Sequence, residues 1–176
     1  YFDVDTFEDY LRMLDICTQI TGRRENYVQY GEAISRQVEA ARKRADGSRP
    51  SVLYIRATGT SCKVKNSNGS VLGEMLRAMD CENIADSEES LLESLSMEAI
   101  LMADPDFIFV VEQSADADAA KAMLDKSLFS NPAWQTLTAV REGRYYVMDS
   151  ALYNLKPNAR WGEAYEKLAQ ILYGTH

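Results

Sequence analysis

Arg56, Lys63 and Lys65 fall close together in the chain, and Asn66, Ser67, Asn68 and Ser70 follow at once. These types supply fixed positive charge beside amide and hydroxyl donors. That chemistry holds an anion through charge-assisted hydrogen bonds; it does not break covalent bonds. A plainer reading stands beside it. Lys63-Val64-Lys65 alternates as an exposed β-ribbon does, and its lysines then only solubilise a loop. Enzyme chemistry finds little footing. His176 is the sole histidine, so no Ser-His-Asp set can be assembled. "ATGTS" at 57–61 follows a strand but lacks the lysine and glycine spacing of a phosphate loop. Asp104 and Asp106 pair as carboxylates can, yet they flank Pro105, where helix-stop and turn chemistry explain them. Cys17, Cys62 and Cys81 lack the spacing of a zinc pair, and their odd number leaves the redox compartment open.

The chain has 176 residues, enough for one domain with a real core, and 46% of them are apolar. No run is long enough to span a bilayer, and no secretion signal is visible. It starts at Tyr1 without a methionine, which reads as a processed or truncated chain. The net charge of -8 argues against a general nucleic-acid binder. That charge is divided. Residues 23–65 hold ten Lys/Arg and four Asp/Glu, whereas residues 74–125 hold two and fourteen. The division is either two solvated faces, or a basic site for an anionic ligand beside an acidic docking surface.

Elements must position these residues. Helical spacing runs over 6–20 behind Thr6 as N-cap, and again over 25–45, ending in Arg42, Lys43 and Arg44. Ser51–Ala57 reads as a strand and 58–70 as a polar loop. Helix is expected at 71–79, 90–103, 116–125 and 161–173, with a short one opening at 131–134. A short strand or extended piece fits 83–85. Phe107 to Val111 does not alternate, so it is a strand buried on both faces, and 145–148 is another. Strands alternating with helices predict a mainly parallel sheet between helical layers, with ligands beyond the strands' carboxyl ends. Those ends are 58–70, 112–115 and 149–158.

Three segments occur in order: "SMEAILMADPDFIFVV", "NPAWQTLTAVREGRYYVMDS" and "KPNARWGEAYEKLAQILYG". With "TFEDYLRMLDICTQITGR" near the start, the set resembles the class III substrate-binding proteins of ABC transporters for iron-siderophores, haem and cobalamin. Those have two α/β lobes joined by one rigid helix. The resemblance covers almost the whole chain and begins mid-way along the family's usual length. It implies a helical segment, 1–48, that includes the interlobe connecting helix at about 25–45. It also implies a C-terminal lobe, 49–176, as a three-layer, Rossmann-like sandwich, and an absent N-terminal lobe. Part of the apolar side of the helix at 6–20 would then be exposed or covered by another copy, allowing self-association.

The resemblance also implies roles. The chain would capture a ferric siderophore between two lobes and deliver it to an iron-type permease, with no cofactor of its own and no catalysis. Arg56, Lys63, Lys65 and Asn66 would line the cleft with Tyr153, Asn154 and Lys156, which follow the last strand. Haem ranks second, because it needs an axial ligand and only Tyr153 is offered; cobalamin ranks third. Glu98 would dock onto permease arginines. Location would be periplasmic, or on the cell surface through a lipid anchor, with contact to the membrane only through permease or lipid. Cys62 and Cys81, beside one loop-helix unit, are candidates for a disulfide. Trp134 and Trp161 read as packing anchors. A non-transport interaction domain using the acidic face, or a metallocluster or chelatase-type enzyme of related fold, remain as alternatives.

Overall fold

The computed structural model describes residues 2–113 and 117–174. The first helix, α1 (Phe7–Thr21), begins in a capping box. Asp9 N donates to Thr6 Oγ1 at 3.0 Å, and Thr6 N donates back to Asp9 Oδ2 at 3.2 Å. Gly22, at φ 69°, ends it in the left-handed region that glycine adopts without penalty. Phe7 and Tyr10 are buried, whereas Ile20 is 80% exposed, so the apolar side is covered only in part.

The segment 25–45 differs from the uninterrupted α-helix expected there. α2 (Arg24–Tyr27) passes into a π-helical segment, Val28–Glu32, and then into α3 (Ala33–Arg42). A π-turn spoils the usual hydrogen-bond ladder, and its loosened carbonyls need other donors. Tyr10 Oη donates to Tyr30 O at 2.9 Å, and Ser35 Oγ donates to Gly31 O at 2.9 Å. Gly31 also lets α1 close in, since a β-carbon there would sit 3.4 Å from Leu14. Beyond α3, Arg44 bonds Glu166 at 2.6 Å and Gln170 at 2.8 Å, which anchors the end of α3 to the C-terminal helix.

The lobe is built on a five-stranded sheet. β1 (Ser51–Ala57) pairs in parallel with the short β3 (Glu82–Asn83) and with β4 (Phe107–Glu112), and β4 pairs in parallel with β5 (Tyr145–Met148). β2 (Cys62–Val64) folds back antiparallel on the end of β1, so the expected loop at 58–70 contains a hairpin. The central strands are buried on both faces, as their unbroken apolar runs predict. Residues of α1, α3, α4 (Val71–Ala78) and α11 (Trp161–Tyr173) cover one face, around Tyr54, Phe109 and Trp161. The other face packs Leu53, Ile55 and Val110 against Trp134, Leu128 and Ile100. The result is the expected α/β architecture of three layers. The segment 1–48 is not separate from it, because Phe7, Ile34 and Val38 share the first core with the sheet.

The helix expected over 90–103 is broken. α5 (Ile84–Ser87) precedes α6 (Ser90–Glu93), and the chain is extended at Ser94 before α7 (Met97–Ala103) starts behind Ser96. Ser96 Oγ accepts from Ala99 N at 3.3 Å, so this serine caps a new helix and does not continue the old one. α7 ends at Asp104, a left-handed residue at φ 37°. The Asp104 carboxylate accepts from Thr138 N at 2.8 Å and Thr138 Oγ1 at 2.6 Å, and Asp106 accepts from Ser51 N and Oγ at 2.8 Å each. The two aspartates tie the turn to neighbouring segments. The lobe also holds α8 (Ala117–Leu124), which runs into a π-helical segment, Asp125–Phe129, the short helix expected at 131–134 as a 3-10 helix, Pro132–Thr136, α9 (Thr138–Arg141), α10 (Ser150–Tyr153) and a 3-10 turn, Asn158–Arg160.

Candidate ligand cavity and outer groove

A cavity of about 580 Å³ opens at the carboxyl edge of the sheet. Arg56 reaches it from the end of β1, and Gly69, Ser70 and Val71 from the start of α4. Gln113 enters after β4, and Asn154, Lys156 and Asn158 from the chain beyond α10, with Asp5 opposite. Three chain crossings therefore meet where ligands settle on open α/β sheets.

The hairpin explains the charge. Arg56 stands opposite Lys63, and Lys65 N donates to Tyr54 O at 2.9 Å. Side chains alternate along strands, so Tyr54, Arg56, Lys63 and Lys65 share one face. Among the described residues, no ion pair engages Arg56, Lys63 or Lys65. Partial burial lowers the Lys65 pKa, and repulsion from Arg56 and Lys63 lowers it further. Arg56 Nη2 donates to Tyr54 Oη at 3.3 Å, but its Nε is buried without a partner. The arrangement is an uncompensated cationic face.

Other expected site residues are placed differently. Tyr153 is 2% exposed and lies in the core, where its Oη donates to Ala164 O at 2.9 Å. Burial raises its pKa well above the ordinary phenol value, so it offers no phenolate to the cavity. Asn66 Oδ1 accepts from Asn68 N at 3.2 Å and closes a turn behind the wall. Lys156 does line the cavity and pairs with Asp3 at 3.4 Å. The structure thus brings Arg56, Asn154 and Lys156 together, sets Lys63 and Lys65 beside them, and leaves Tyr153 and Asn66 out. Ser70 was named with the donor loop but not set in the cleft, and Gln113, Asp5 and Asn158 were missed. Ser70 had a legible signal as the residue before a helix, and Gln113 as the residue after a buried strand. Part of the expected strand end at 112–115 lies outside the described residues, as does His176.

On the opposite face of the sheet, α7 is pinned by the fully buried Ile100 and presents Glu98 to solvent. Glu98 edges a groove of about 470 Å³, with Ile84, Ser87 and Glu88 across from Ala99 and Met102. Met102 is 89% exposed. All three cysteines are free. Cys62 packs beside one core and Cys81 beside the other, so the sheet separates the expected pair. Trp161 and Trp134 are buried packing residues, as expected. No described helix is long and apolar enough to cross a membrane.

Comparison with known proteins bears on the whole arrangement. Solved structures share the fold at low identity. An ABC transporter substrate-binding protein from Listeria monocytogenes matches with a TM-score of 0.78 at 19% identity, over 99% of this chain and 67% of its own. S. aureus IsdE complexed with heme gives 0.80 at 17%, over 98% and 67%. A periplasmic heme-binding protein from Pseudomonas aeruginosa gives 0.66 at 23%, over 97% and 61%. The chain therefore spans about two thirds of their length. No curated protein sequence matches. The model of the periplasmic binding protein family matches residues 2–152, and the chain, with its cavity at the sheet edge, belongs to that family.

Proposed function

We propose that this chain is the connecting helix and C-terminal lobe of an ABC importer's substrate-binding component. It takes an anionic ferric chelate of the siderophore class into the cavity at the sheet edge. The carrying observation is the cationic face of Arg56, Lys63 and Lys65, which has no carboxylate partner among the described residues and reaches the cavity through Arg56. Burying unpaired like charges is unfavourable, and an anionic ligand relieves it. Asn154 and Lys156 give orienting contacts from the facing loop. Lobe and connector share one core, so affinity comes mostly from a preformed wall and not from large closure. No covalent step is involved.

Haem is the second reading, favoured by the heme-binding neighbours. Against it, no His or Tyr lines the cavity among the described residues, and Tyr153 is committed to the core. The partner is a permease, met through exposed Glu98 on its anchored helix. The acid-rich groove suits a cationic segment of that partner. The component works outside the cytoplasm, in the periplasm or held at the cell surface, a reading that membership of the periplasmic binding protein family supports.

Fluorescence titration tests the ligand reading. Ferric catecholates, ferric hydroxamates, haem and cobalamin are added to the chain alone and to the intact two-lobed protein. Saturable quenching by a ferric chelate, weakened about tenfold or more by Lys63→Ala with Lys65→Ala, is the expected result. Saturation by haem or cobalamin alone keeps the transport reading and replaces the ligand. No saturation by any probe rejects ligand capture.

A further inference from the structure

We infer that the chain carries a second, smaller binding site between α1, α3, α4 and α11, and that it takes a small zwitterion of the α-amino-acid type. The site does not depend on the ligand reading above. Its cavity, of about 310 Å³, shares no wall residue with the one at the sheet edge. That volume lies at the small end of the range, about 300–1,000 Å³, in which small molecules are held.

Tyr165 lines this cavity from α11 and is otherwise buried, at 3% exposed. Its hydroxyl makes no hydrogen bond among the described residues, and it is not sealed from solvent. A buried tyrosine ordinarily finds a partner for its hydroxyl. Burial raises its pKa, Glu8 raises it further, Arg42 opposes the rise and Glu74 adds to it. All three charges belong to the cavity wall, so the hydroxyl faces that side.

The wall is balanced, with Glu8 and Glu74 against Arg42 and Arg77, but only half of it is committed. Arg77 pairs with Glu74 and donates to Asn68 Oδ1 at 3.0 Å. Among the described residues, no ion pair engages Arg42 or Glu8, with each other or with anything else. Arg42 Nε donates to Ala78 O at 3.2 Å, which ties the guanidinium to the end of α4. Glu8 stands in the first turn of α1, where the helix dipole favours its charge.

A cation, an anion and a hydroxyl thus face one small cavity without bonding one another. A simple anion would meet Glu8 and Glu74 there, and a simple cation would meet Arg42 and Arg77. A zwitterion answers both. Its carboxylate accepts from the Nη groups of Arg42 and from Tyr165 Oη, and its ammonium donates to Glu8. A neighbouring hollow of about 510 Å³ shares Arg42 and Arg77 and adds Glu39 and Lys43, so a polar side chain on the ligand has room and company.

The test is an amide-detected NMR titration of the chain. The probes are L-glutamine, L-serine, L-glutamate and L-arginine, each offered free, N-acetylated and as its carboxamide. The expected result is a saturable shift of amides at 6–9, 74–78 and 163–167 with at least one free amino acid, and with neither of its blocked forms. Glu8→Gln and Arg42→Gln each lower that affinity about tenfold or more, and Tyr165→Phe lowers it about threefold. Tyr165→Phe leaves the melting temperature unchanged or raised, because its hydroxyl has no bond to lose; a merely structural tyrosine would do the reverse. Equal binding of a blocked form, or saturation that survives either charge substitution, overturns the site. Silence from the whole panel at millimolar concentration overturns it too, and leaves the chelate reading of the other cavity untouched.

Discussion

Asp104 does more than stop a helix. It sits in the left-handed region, uncommon for a residue with a β-carbon, and spends its carboxylate on the amide and hydroxyl of Thr138. Those bonds lower its pKa below the ordinary 3.8, the Thr138 side chain contributing most. A depressed folded value means stability that is present above the unfolded pKa and lost as pH falls through the folded one. Asp104→Ala is expected to cost about 2 kcal/mol at neutral pH by losing both bonds. Asp104→Asn, which tolerates the backbone and keeps one acceptor, should cost less and flatten the pH dependence below about pH 4. Urea melts from pH 2 to pH 7 measure both effects. The sequence showed Asp104 and Asp106 as a turn and not a carboxylate pair, since Pro105 stands between them. It could not show their partners, because Thr138 and Ser51 are distant in the chain. Tyr153 failed for a related reason. Its position after a strand suggested the cavity, and only tertiary packing reveals that Ala164 claims its hydroxyl.

At the scale of elements, α4 is held at its start by contact with the loop before it. A β-carbon on Gly73 would lie 2.7 Å from Asn66 O and from Ser70 Oγ. Glycine to alanine inside a helix ordinarily gains about 1 kcal/mol, but overpacking against backbone costs about 1–3 kcal/mol. The Asn66 contact is with backbone, so Gly73→Ala should destabilise the protein and displace the loop at 66–70. Thermal melts, with loss of chelate quenching, would record it. Strands and long helices were legible here because burial on both faces and amphipathic spacing leave strong patterns. The break at Ser94 was not, since serine is tolerated within a helix and its capping role at Ser96 depends on where α7 must point. The β1–β2 hairpin lay among the readings of Lys63-Val64-Lys65. What remained hidden was that both lysines face the same side as Arg56, while Arg56 alone of the three lines the cavity.

Over the whole molecule, the charges divide as the sequence divides them. The uncompensated cations stand on one face of the sheet, and the acid-edged groove with Glu98 on the other. The proposed ligand capture and the proposed docking can therefore be separated by mutation. Glu98→Arg in the intact importer should reduce uptake about tenfold or more while ligand affinity is unchanged, measured as chelate transport in vesicles beside a binding titration. Unchanged uptake would remove Glu98 from the interface. The π-helical segment at Val28–Glu32 has its own consequence at this scale. One surplus residue within a helix shifts the angular phase of everything before it by about 100°. A single residue thus sets the bearing of α1 about the axis of α3. Point substitutions along the segment leave that bearing intact, whereas losing one residue from it would turn α1 by more than a quarter of a circle and pull Phe7 and Tyr10 out of the core they share with Ile34 and Val38.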